Sequence, residues 1–156
     1  CCLIEGGKLF KRYDAKKGRI PPAGFIPTGE PDEVTGHCPG WLPVGMGPED
    51  RWHREAWAYF DTLILGKPMP DGTYELIGPK VQSNPYGLNA HMLARHGFSL
   101  LASADEVFPT DFYGVRDWLE SQPGIEGIVW HHPDGERFAK IKRRDFSLSW
   151  PPKVTP

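Results

Sequence analysis

The sequence lacks the features that mark several common protein classes. Its longest purely aliphatic stretch, Leu63 to Leu65, is far too short to span a bilayer, and no signal-peptide pattern opens the chain, so we expect no membrane partner. Three cysteines, two of them adjacent, form no disulfide framework, which predicts a reducing cytoplasmic or other intracellular compartment. The net charge is only −2, so any polyanion site must be a local basic patch.

Aromatic residues, glycine and proline are abundant. Six Trp and eight Phe in 156 residues supply enough apolar area for a packed core. The 18 Gly and 17 Pro favour short strands, tight turns and ordered loops over a helical bundle. We therefore predict an antiparallel, strand-rich α+β fold with a few helices, organised as a single domain over residues 1–156.

The local patterns place the elements of this domain. Residues 1–13 predict a hairpin around Gly6 and Gly7. Residues 14–50 are rich in Gly and Pro, which predicts a long ordered loop that packs on the domain. The other predicted elements are a helix over Glu49–Phe60, a strand over Tyr74–Ile77, a helical turn over Ala90–Arg95, a strand over Phe98–Ala102, a helix over Asp111–Gln122 capped by Thr110 or Asp111, and a hairpin of Ile125–His131 with Glu136–Ile141.

The C-terminal hairpin carries the strongest chemical signal. Alternation along its second strand puts Lys140 and Lys142 on one face, where two like charges are compatible if an anion such as a phosphate lies between them. Glu126 on the neighbouring strand adds a carboxylate that can hold a divalent metal or a ribose hydroxyl. The alternative is an edge hairpin whose charges meet only water.

Two further segments are weaker signals. Glu75 lies on a strand that runs into a Gly-Pro turn, and alone it indicates an ordinary strand with a solvent-facing carboxylate. Alternation separates Lys11 from Arg12, so only one of them can share a face with Lys8.

The usual metal and nucleophile patterns are weak or missing. His91, His96 and the pair at residues 131–132 have no Cys or His partners at zinc spacing. Cys38 beside His37 has no matched base that would make it a thiol nucleophile, and no Gly-rich phosphate loop of the Lys-Ser/Thr type is found.

Taken in order, these segments resemble the covalent nucleotidyltransferases, which comprise ATP-dependent RNA and DNA ligases and mRNA capping enzymes. Arg12 is similar to the Arg that follows the nucleophile motif of that superfamily, and Glu75 to its ribose-contacting Glu. Glu126 to Val129 matches the Glu-Gly-x-Val block, and Lys140 to Lys142 the Lys-x-Lys block. The sequence from Pro21 to Ala56 resembles that of the small 5′-to-3′ RNA ligase family first noticed in vertebrates.

The resemblance implies a nucleotidyltransferase fold, an ATP-grasp-like ligase adenylation domain. It also implies an ATP-dependent RNA ligase that uses Mg²⁺ or Mn²⁺, joins a 5′-phosphate to a 3′-hydroxyl and serves RNA repair. The expected partners are ATP and RNA ends, with no obligate protein partner. In this chemistry a lysine amine attacks the α-phosphate of ATP and expels pyrophosphate.

The resemblance also assigns roles to individual residues. Lys140 and Lys142 are expected to stabilise the phosphoryl oxygens in the transition state, and Glu126 to hold the metal or position the nucleophilic lysine. Glu75 is expected to accept hydrogen bonds from the ribose hydroxyls, and Arg12 to bind a phosphate. For the adenine ring, Phe98 is the candidate stacking partner. Strand alternation further predicts that Glu75, Glu126, Lys140 and Lys142 converge on one cleft that binds ATP. The loop over residues 14–50 is expected to border the RNA-binding side.

One part of the family pattern is absent from this sequence. Its nucleophile motif, Lys-x-Asp-Gly, directly precedes a pair like Cys1-Cys2 in relatives, and no lysine of this chain lies in such a motif. We therefore expect a chain that lacks its N-terminal part and does not self-adenylate alone. The alternatives are a naturally lysine-less module that binds nucleotide or RNA ends, and a purely structural domain. The coding sequence upstream of Cys1 distinguishes them.

Overall fold

The chain folds as two compact units. The structure, a computed structural model, describes residues 1–63, 69–97, 108–134 and 137–151. The first unit is Cys1–Phe98 and the second is Ser99–Pro156. An antiparallel six-stranded sheet and one helix form the first unit, and a two-stranded antiparallel hairpin and a second helix belong to the other. This is the strand-rich α+β architecture that the composition predicts. No helix within the described ranges is long and apolar enough to cross a membrane.

The sheet of the first unit has the strand order β3-β4-β2-β1-β5-β6, and each pairing is antiparallel. In chain order the elements are β1 (Cys2–Glu5), β2 (Lys8–Ala15), β3 (Ile26–Pro27), β4 (Cys38–Pro43), α1 (Arg51–Leu63), β5 (Gly72–Ile77) and β6 (Met92–Arg95). A 3-10 turn, Pro48–Asp50, leads directly into α1.

The predicted first hairpin is present. Glu5 pairs with Lys8, so only two residues form the turn. Gly6 and Gly7 have φ values of 55° and 71°, the left-handed conformation that a tight hairpin turn requires and that glycine adopts at little cost.

The sequence predicts a loop over residues 14–50, but this segment contains the strands β3 and β4. β4 pairs with β2 along its whole length and with β3 at Trp41 and Gly40. Two prolines and a glycine concealed this strand, because proline removes a donor and glycine packs no side chain. The glycine is required at Gly40: a Cβ there would lie 2.3 Å from the carbonyl oxygen of Ile26, so its absence lets β3 approach.

The core of the first unit lies between the sheet and α1. The buried residues of this cluster are Cys2, Ile4, Ala56, Met69, Tyr74, Leu76 and Leu93. Trp52, Trp57 and Phe60 of α1 pack against them. Burial of Cys2 raises the pKa of its thiol to about 11, so this cysteine is a core residue and not a reactive thiol.

The prediction of a helical turn over Ala90–Arg95 was wrong. Met92–Arg95 is strand β6, which pairs with β5 from Ile77 to Tyr74. A short apolar run does not distinguish a strand from a helical turn by periodicity, and here the exposed edge of β5 decides. The strand predicted over Phe98–Ala102 lies outside the described residues.

The second unit contains α2 (Phe112–Ser121), β7 (Gly127–His131) and β8 (Phe138–Lys142), followed by a 3-10 turn, Arg143–Phe146. Asp111 is the N-cap of α2, where its Oδ1 accepts a hydrogen bond from the backbone nitrogen of Gly114 at 2.9 Å. Val115 and Leu119 form the buried face of this helix. Both the helix and the hairpin were predicted from the sequence.

Candidate functional site

Arg12 and Glu75 lie in the same cross-strand row of the six-stranded sheet. The register pairs β1 with β2 on one side and with β5 on the other, and the backbone nitrogen of Arg12 donates to the carbonyl oxygen of Cys1 at 3.0 Å. One step along the register, Cys1 therefore lies between Arg12 and Glu75. With two strand spacings between them, the two backbones are roughly 10 Å apart.

This row faces away from α1. In the next row Cys2 and Tyr74 are buried in the core under the helix. Because side chains alternate along a strand, Arg12 and Glu75 extend from the opposite face of the sheet. That face carries a guanidinium and a carboxylate within reach of a molecule the size of a nucleoside phosphate.

Arg12 stacks on an aromatic ring and is exposed. Its guanidinium carbon lies 5.7 Å from the centre of the Trp41 ring, which holds the side chain by a cation–π contact. Lys11, its neighbour, extends to the other face and forms an ion pair with the buried carboxylate of Asp50. Lys11 is thus part of the core-side structure, and Arg12 is the cation that β2 presents on the opposite face.

Glu75 is half-buried and lies beside an imidazole. The Nε2 atom of His96 and the amino nitrogen of Cys1 are each 3.6 Å from its Oε2 atom. The contact with His96 lowers the pKa of the Glu75 carboxyl, and partial burial opposes that effect without cancelling it. Glu75 is therefore ionised near neutral pH and accepts hydrogen bonds.

The C-terminal hairpin joins Glu126 to Lys142. Gly127 pairs with Lys142 across the strands, and the ammonium of Lys142 forms a short ion pair with Oε1 of Glu126. A Cβ at Gly127 would lie 2.3 Å from the carbonyl oxygen of Ile141, so only glycine allows the strands this close. The glycine that follows Glu126 in the motif is therefore required by the close approach of the two strands.

Lys140 lies on the same face of β8 as Lys142. Its side chain is exposed and, among the residues that the structure describes, makes no hydrogen bond or ion pair. Val129 opposite it is 46% exposed, and Phe138 on the same face is 67% exposed. Two cations beside exposed apolar side chains form a surface that suits a phosphate attached to a flat, apolar ring.

Arg143 is a residue whose role the sequence did not indicate. It is only 6% exposed, and its guanidinium donates to the carbonyl oxygens of Leu119 and Gln122 at the end of α2 and to that of Ser149. Arg143 therefore holds the end of β8, next to Lys142, against α2. Nothing in the local pattern marks an arginine for burial, so only the structure could identify it.

The remaining observations concern the candidate adenine partner and a pocket on the first unit. Phe98, the candidate adenine partner, lies outside the described residues. A pocket of about 460 Å³ lies in the first unit between α1 and the segment before β6. Its lining includes Glu55, Tyr59 and His91, and none of the predicted site residues.

Comparison with known proteins identifies one family. The family model described as RNA ligase 1 matches residues 61–155, a segment that contains Glu75, Glu126, Lys140 and Lys142. RNA ligase 1 of Danio rerio is 35% identical over 147 aligned positions, which cover 78% of this chain and 44% of that protein. The Mus musculus protein of the same name is 33% identical over 182 positions, covering 94% of this chain and 54% of that protein. The chain thus spans about half the length of these relatives.

Proposed function

The chain belongs to the RNA ligase 1 family, and on that premise we propose that it forms the nucleotide-binding, adenylation part of an ATP-dependent RNA ligase with a nucleotidyltransferase fold. The observation that carries the proposal is the β7–β8 hairpin. It lies within the family-matched segment and combines a Glu126–Lys142 ion pair with an exposed Lys140 on the same face.

The two lysines have different tasks in this proposal. Lys142 is already oriented by Glu126, so its ammonium sits at a fixed position where a phosphoryl group can be bound without reorganisation. Lys140 is exposed and can move to meet a second oxygen of the same group. Cations fixed in this way stabilise charge that develops on the phosphoryl oxygens during transfer.

Glu126 fits the part of a magnesium ligand. Mg²⁺ in nucleotide-dependent enzymes is held by one or two carboxylates together with substrate phosphates and water, and Glu126 is one partly exposed carboxylate beside the proposed phosphate site. When bound, the ion would neutralise phosphate charge. Lys142 keeps the Glu126 carboxylate at the face where such an ion would be needed.

The Arg12–Glu75 row supplies the complementary contacts. An ionised Glu75 accepts hydrogen bonds from ribose hydroxyls, and the exposed guanidinium of Arg12 binds a phosphate of the nucleotide or of an RNA end. A residue placed directly before Cys1 would continue β1 between these two side chains. A Lys-x-Asp-Gly block at that position would therefore bring its lysine near them. The convergence of this row and the hairpin on one nucleotide stays a prediction.

The binding half of the proposal is tested by the affinity of the chain for ATP in the presence of Mg²⁺, measured by calorimetry. We expect Lys140→Ala to weaken binding by about 1.5–3 kcal/mol, the usual loss for a hydrogen bond to a charged group. Glu75→Ala should cost roughly 1–3 kcal/mol. Lys16→Ala is the matched control, because Lys16 is an exposed lysine outside both groups.

The result that would contradict the proposal is equally specific. If Lys140→Ala and Glu75→Ala bind ATP as tightly as Lys16→Ala does, neither group contacts the nucleotide. The charges would then be solvated surface charges.

A further inference from the structure

Three potential metal ligands that are far apart in sequence come together on the β1–β5–β6 face of the first unit. They are the thiol of Cys1, the carboxylate of Glu75 and the imidazole of His96, and their ligand atoms all lie within 4.8 Å of one another. His96 has no Cys or His partner at zinc spacing, so the local sequence gave no sign of this group. The sheet register creates it: β1 places Cys1 beside Glu75, and His96 at the end of β6 lies beside Thr73, two residues before Glu75 on the same face of β5.

The separation of two of these atoms falls in the range found between two ligands of one metal ion. Ligand atoms about 2.0–2.3 Å from a tetrahedral zinc ion lie roughly 3.3–3.8 Å from each other. The Oε2 atom of Glu75 and the Nε2 atom of His96 are 3.6 Å apart. Cys1 is exposed, so rotation about its Cα–Cβ bond can bring the sulfur to a similar distance without a change in packing.

The imidazole is also held in the orientation that a metal ligand needs. The Nδ1 atom of His96 lies 3.0 Å from Oγ1 of Thr73, and the backbone nitrogen of His96 donates to the carbonyl oxygen of Thr73 at 2.9 Å. Without an ion, the Nε2–H group of His96 donates to Glu75. When an ion replaces that proton, the Nδ1–H group donates to the Thr73 hydroxyl and the Nε2 lone pair faces the ion. Histidines that bind metals are typically fixed in this way by a hydrogen bond from their other ring nitrogen.

The donor set selects the class of ion. One thiolate, one imidazole and one carboxylate form a mixed set that suits Zn²⁺, whereas Mg²⁺ prefers oxygen ligands only. Three protein ligands also leave a fourth tetrahedral position for water or another small ligand.

We propose that Cys1, Glu75 and His96 form a zinc-binding site on the sheet face of the first unit, with Thr73 as the residue that orients His96. This site is distinct from the Mg²⁺ expected at Glu126. It also has a consequence that rests on the proposed function: a Zn²⁺ ion on Glu75 occupies the carboxylate that is proposed to bind the ribose. Zinc and nucleotide should then compete.

The site is tested by the Zn²⁺ affinity of the chain under reducing conditions, measured by competition with a chromophoric chelator. We expect one ion per chain. Cys1→Ser, Glu75→Gln and His96→Gln should each weaken binding by at least about 100-fold, and Thr73→Val by about 10–100-fold, the usual effect of removing an orienting partner. Substitution by Co²⁺ gives a second readout, because a cobalt–thiolate bond produces charge-transfer absorption that Cys1→Ser must abolish.

The chain offers matched controls for both side-chain types. Cys38 is a half-buried thiol whose sulfur donates to the carbonyl oxygen of Gly29, and His37 is paired with Asp14 at 2.9 Å. Cys38→Ser and His37→Gln should bind Zn²⁺ as the unaltered chain does. Binding that is lost in these controls but kept in Cys1→Ser and His96→Gln would overturn the proposal, as would the absence of stoichiometric binding.

A separate measurement distinguishes this inference from the proposed function. If Zn²⁺ weakens ATP binding by the unaltered chain but not by His96→Gln, both proposals are supported. If Zn²⁺ binds at this site and ATP affinity does not change, the zinc site stands and the ribose contact of Glu75 is wrong. If Zn²⁺ does not bind while Glu75→Ala weakens ATP binding, the zinc site is wrong and the ribose contact stands.

Discussion

Single residues decide how β2 presents its two adjacent cations. Asp50 is 1% exposed, and its carboxylate accepts hydrogen bonds from Lys11 and, at 2.7 Å, from the backbone nitrogen of Gly45. Strand alternation places Lys11 on the core side and Arg12 on the opposite face, and the ion pair anchors Lys11 in this arrangement. The buried carboxylate therefore stabilises the register in which Arg12 is exposed.

A pH prediction belongs to the same residue. Burial raises the pKa of Asp50, but the hydrogen bonds from Lys11 and Gly45 and the charge of Lys11 outweigh it, so the pKa lies below the ordinary 3.8. A carboxyl with a depressed pKa stabilises the fold above its unfolded-state pKa, and this stability is lost as the pH falls through the folded-state value. The contribution of Asp50 should therefore be constant near neutrality and disappear below about pH 4.

The variant that checks this is Asp50→Asn. Breaking a buried ion pair leaves an uncompensated charge on Lys11 and should cost roughly 3–5 kcal/mol of unfolding free energy at pH 7. The difference between the two proteins in urea unfolding should shrink as the pH falls below about 4. A difference of the same size at pH 7 and at pH 3 would contradict the assignment. Burial lowers the pKa of His53 and the charge of Asp50 opposes that effect, so both proteins are compared in a His53→Gln background.

At the scale of the secondary-structure element, the β7–β8 hairpin depends on the absence of a side chain at Gly127. A Cβ at this position would lie 2.3 Å from the carbonyl oxygen of Ile141 and 2.9 Å from Cα of Lys142. Gly127→Ala should force β7 and β8 apart and cost about 1–3 kcal/mol, the usual range for overpacking. Urea unfolding of the variant measures this loss.

Gly124→Ala is the matched control. No atom lies within 4 Å of a Cβ built at Gly124. This variant should therefore unfold within about 0.5 kcal/mol of the unaltered chain, as surface substitutions usually do. Equal losses in the two variants would show that the close approach of β7 and β8 does not depend on a missing side chain.

The N-cap of α2 supplies a second prediction about an element. The sequence left Thr110 and Asp111 open as the cap, and the structure shows the Asp111 carboxylate on the backbone nitrogen of Gly114. Asp111→Ala should lower the unfolding free energy by about 1 kcal/mol, because it removes the acceptor of one otherwise unpaired helix donor. Thr110→Ala, measured beside it in thermal unfolding, should change stability much less; the reverse order would assign the cap to Thr110.

The sequence predicted the elements that carry strong local signals. The Gly-Gly turn between β1 and β2 and the apolar face of α2 are local patterns, and both elements are present. The sequence did not predict β4 and β6, because these strands depend on pairing with a neighbouring strand. Pro39 and Gly40 are typical of a loop, and they lie in a strand because they pair with β2. The short apolar run at Met92 is compatible with a helical turn, and it forms a strand because it pairs with β5.

At the scale of the whole molecule, the residues of the proposed sites come from distant parts of the chain. Arg12 and Glu75 are brought into one row by β1, which lies between their strands. Cys1 and His96 meet at Glu75 because β1 and β6 both pair with β5, the strand that carries Glu75. Family blocks in the sequence predicted Arg12 and Glu75 as members of a site, but no pattern predicted the cysteine and histidine, since only the register relates them.

The most direct measurement of the proposed function is the formation of a covalent enzyme–adenylate. The chain is incubated with radiolabelled ATP and Mg²⁺ and then denatured, both alone and fused at Cys1 to the Lys-x-Asp-Gly block of a family member. We expect no label on the chain alone, since none of its lysines lies in that motif, and strong labelling of the fusion.

Lys140→Ala, Lys142→Ala or Glu126→Ala in the fusion should reduce the labelling rate by about 10²–10³-fold, the usual cost of removing one well-placed group at the reacting phosphoryl oxygens, whereas Lys16→Ala should not. Robust labelling of the chain alone would make one of its own lysines the nucleophile, and labelling of the fusion that survives all three hairpin substitutions would contradict the role assigned to the β7–β8 hairpin.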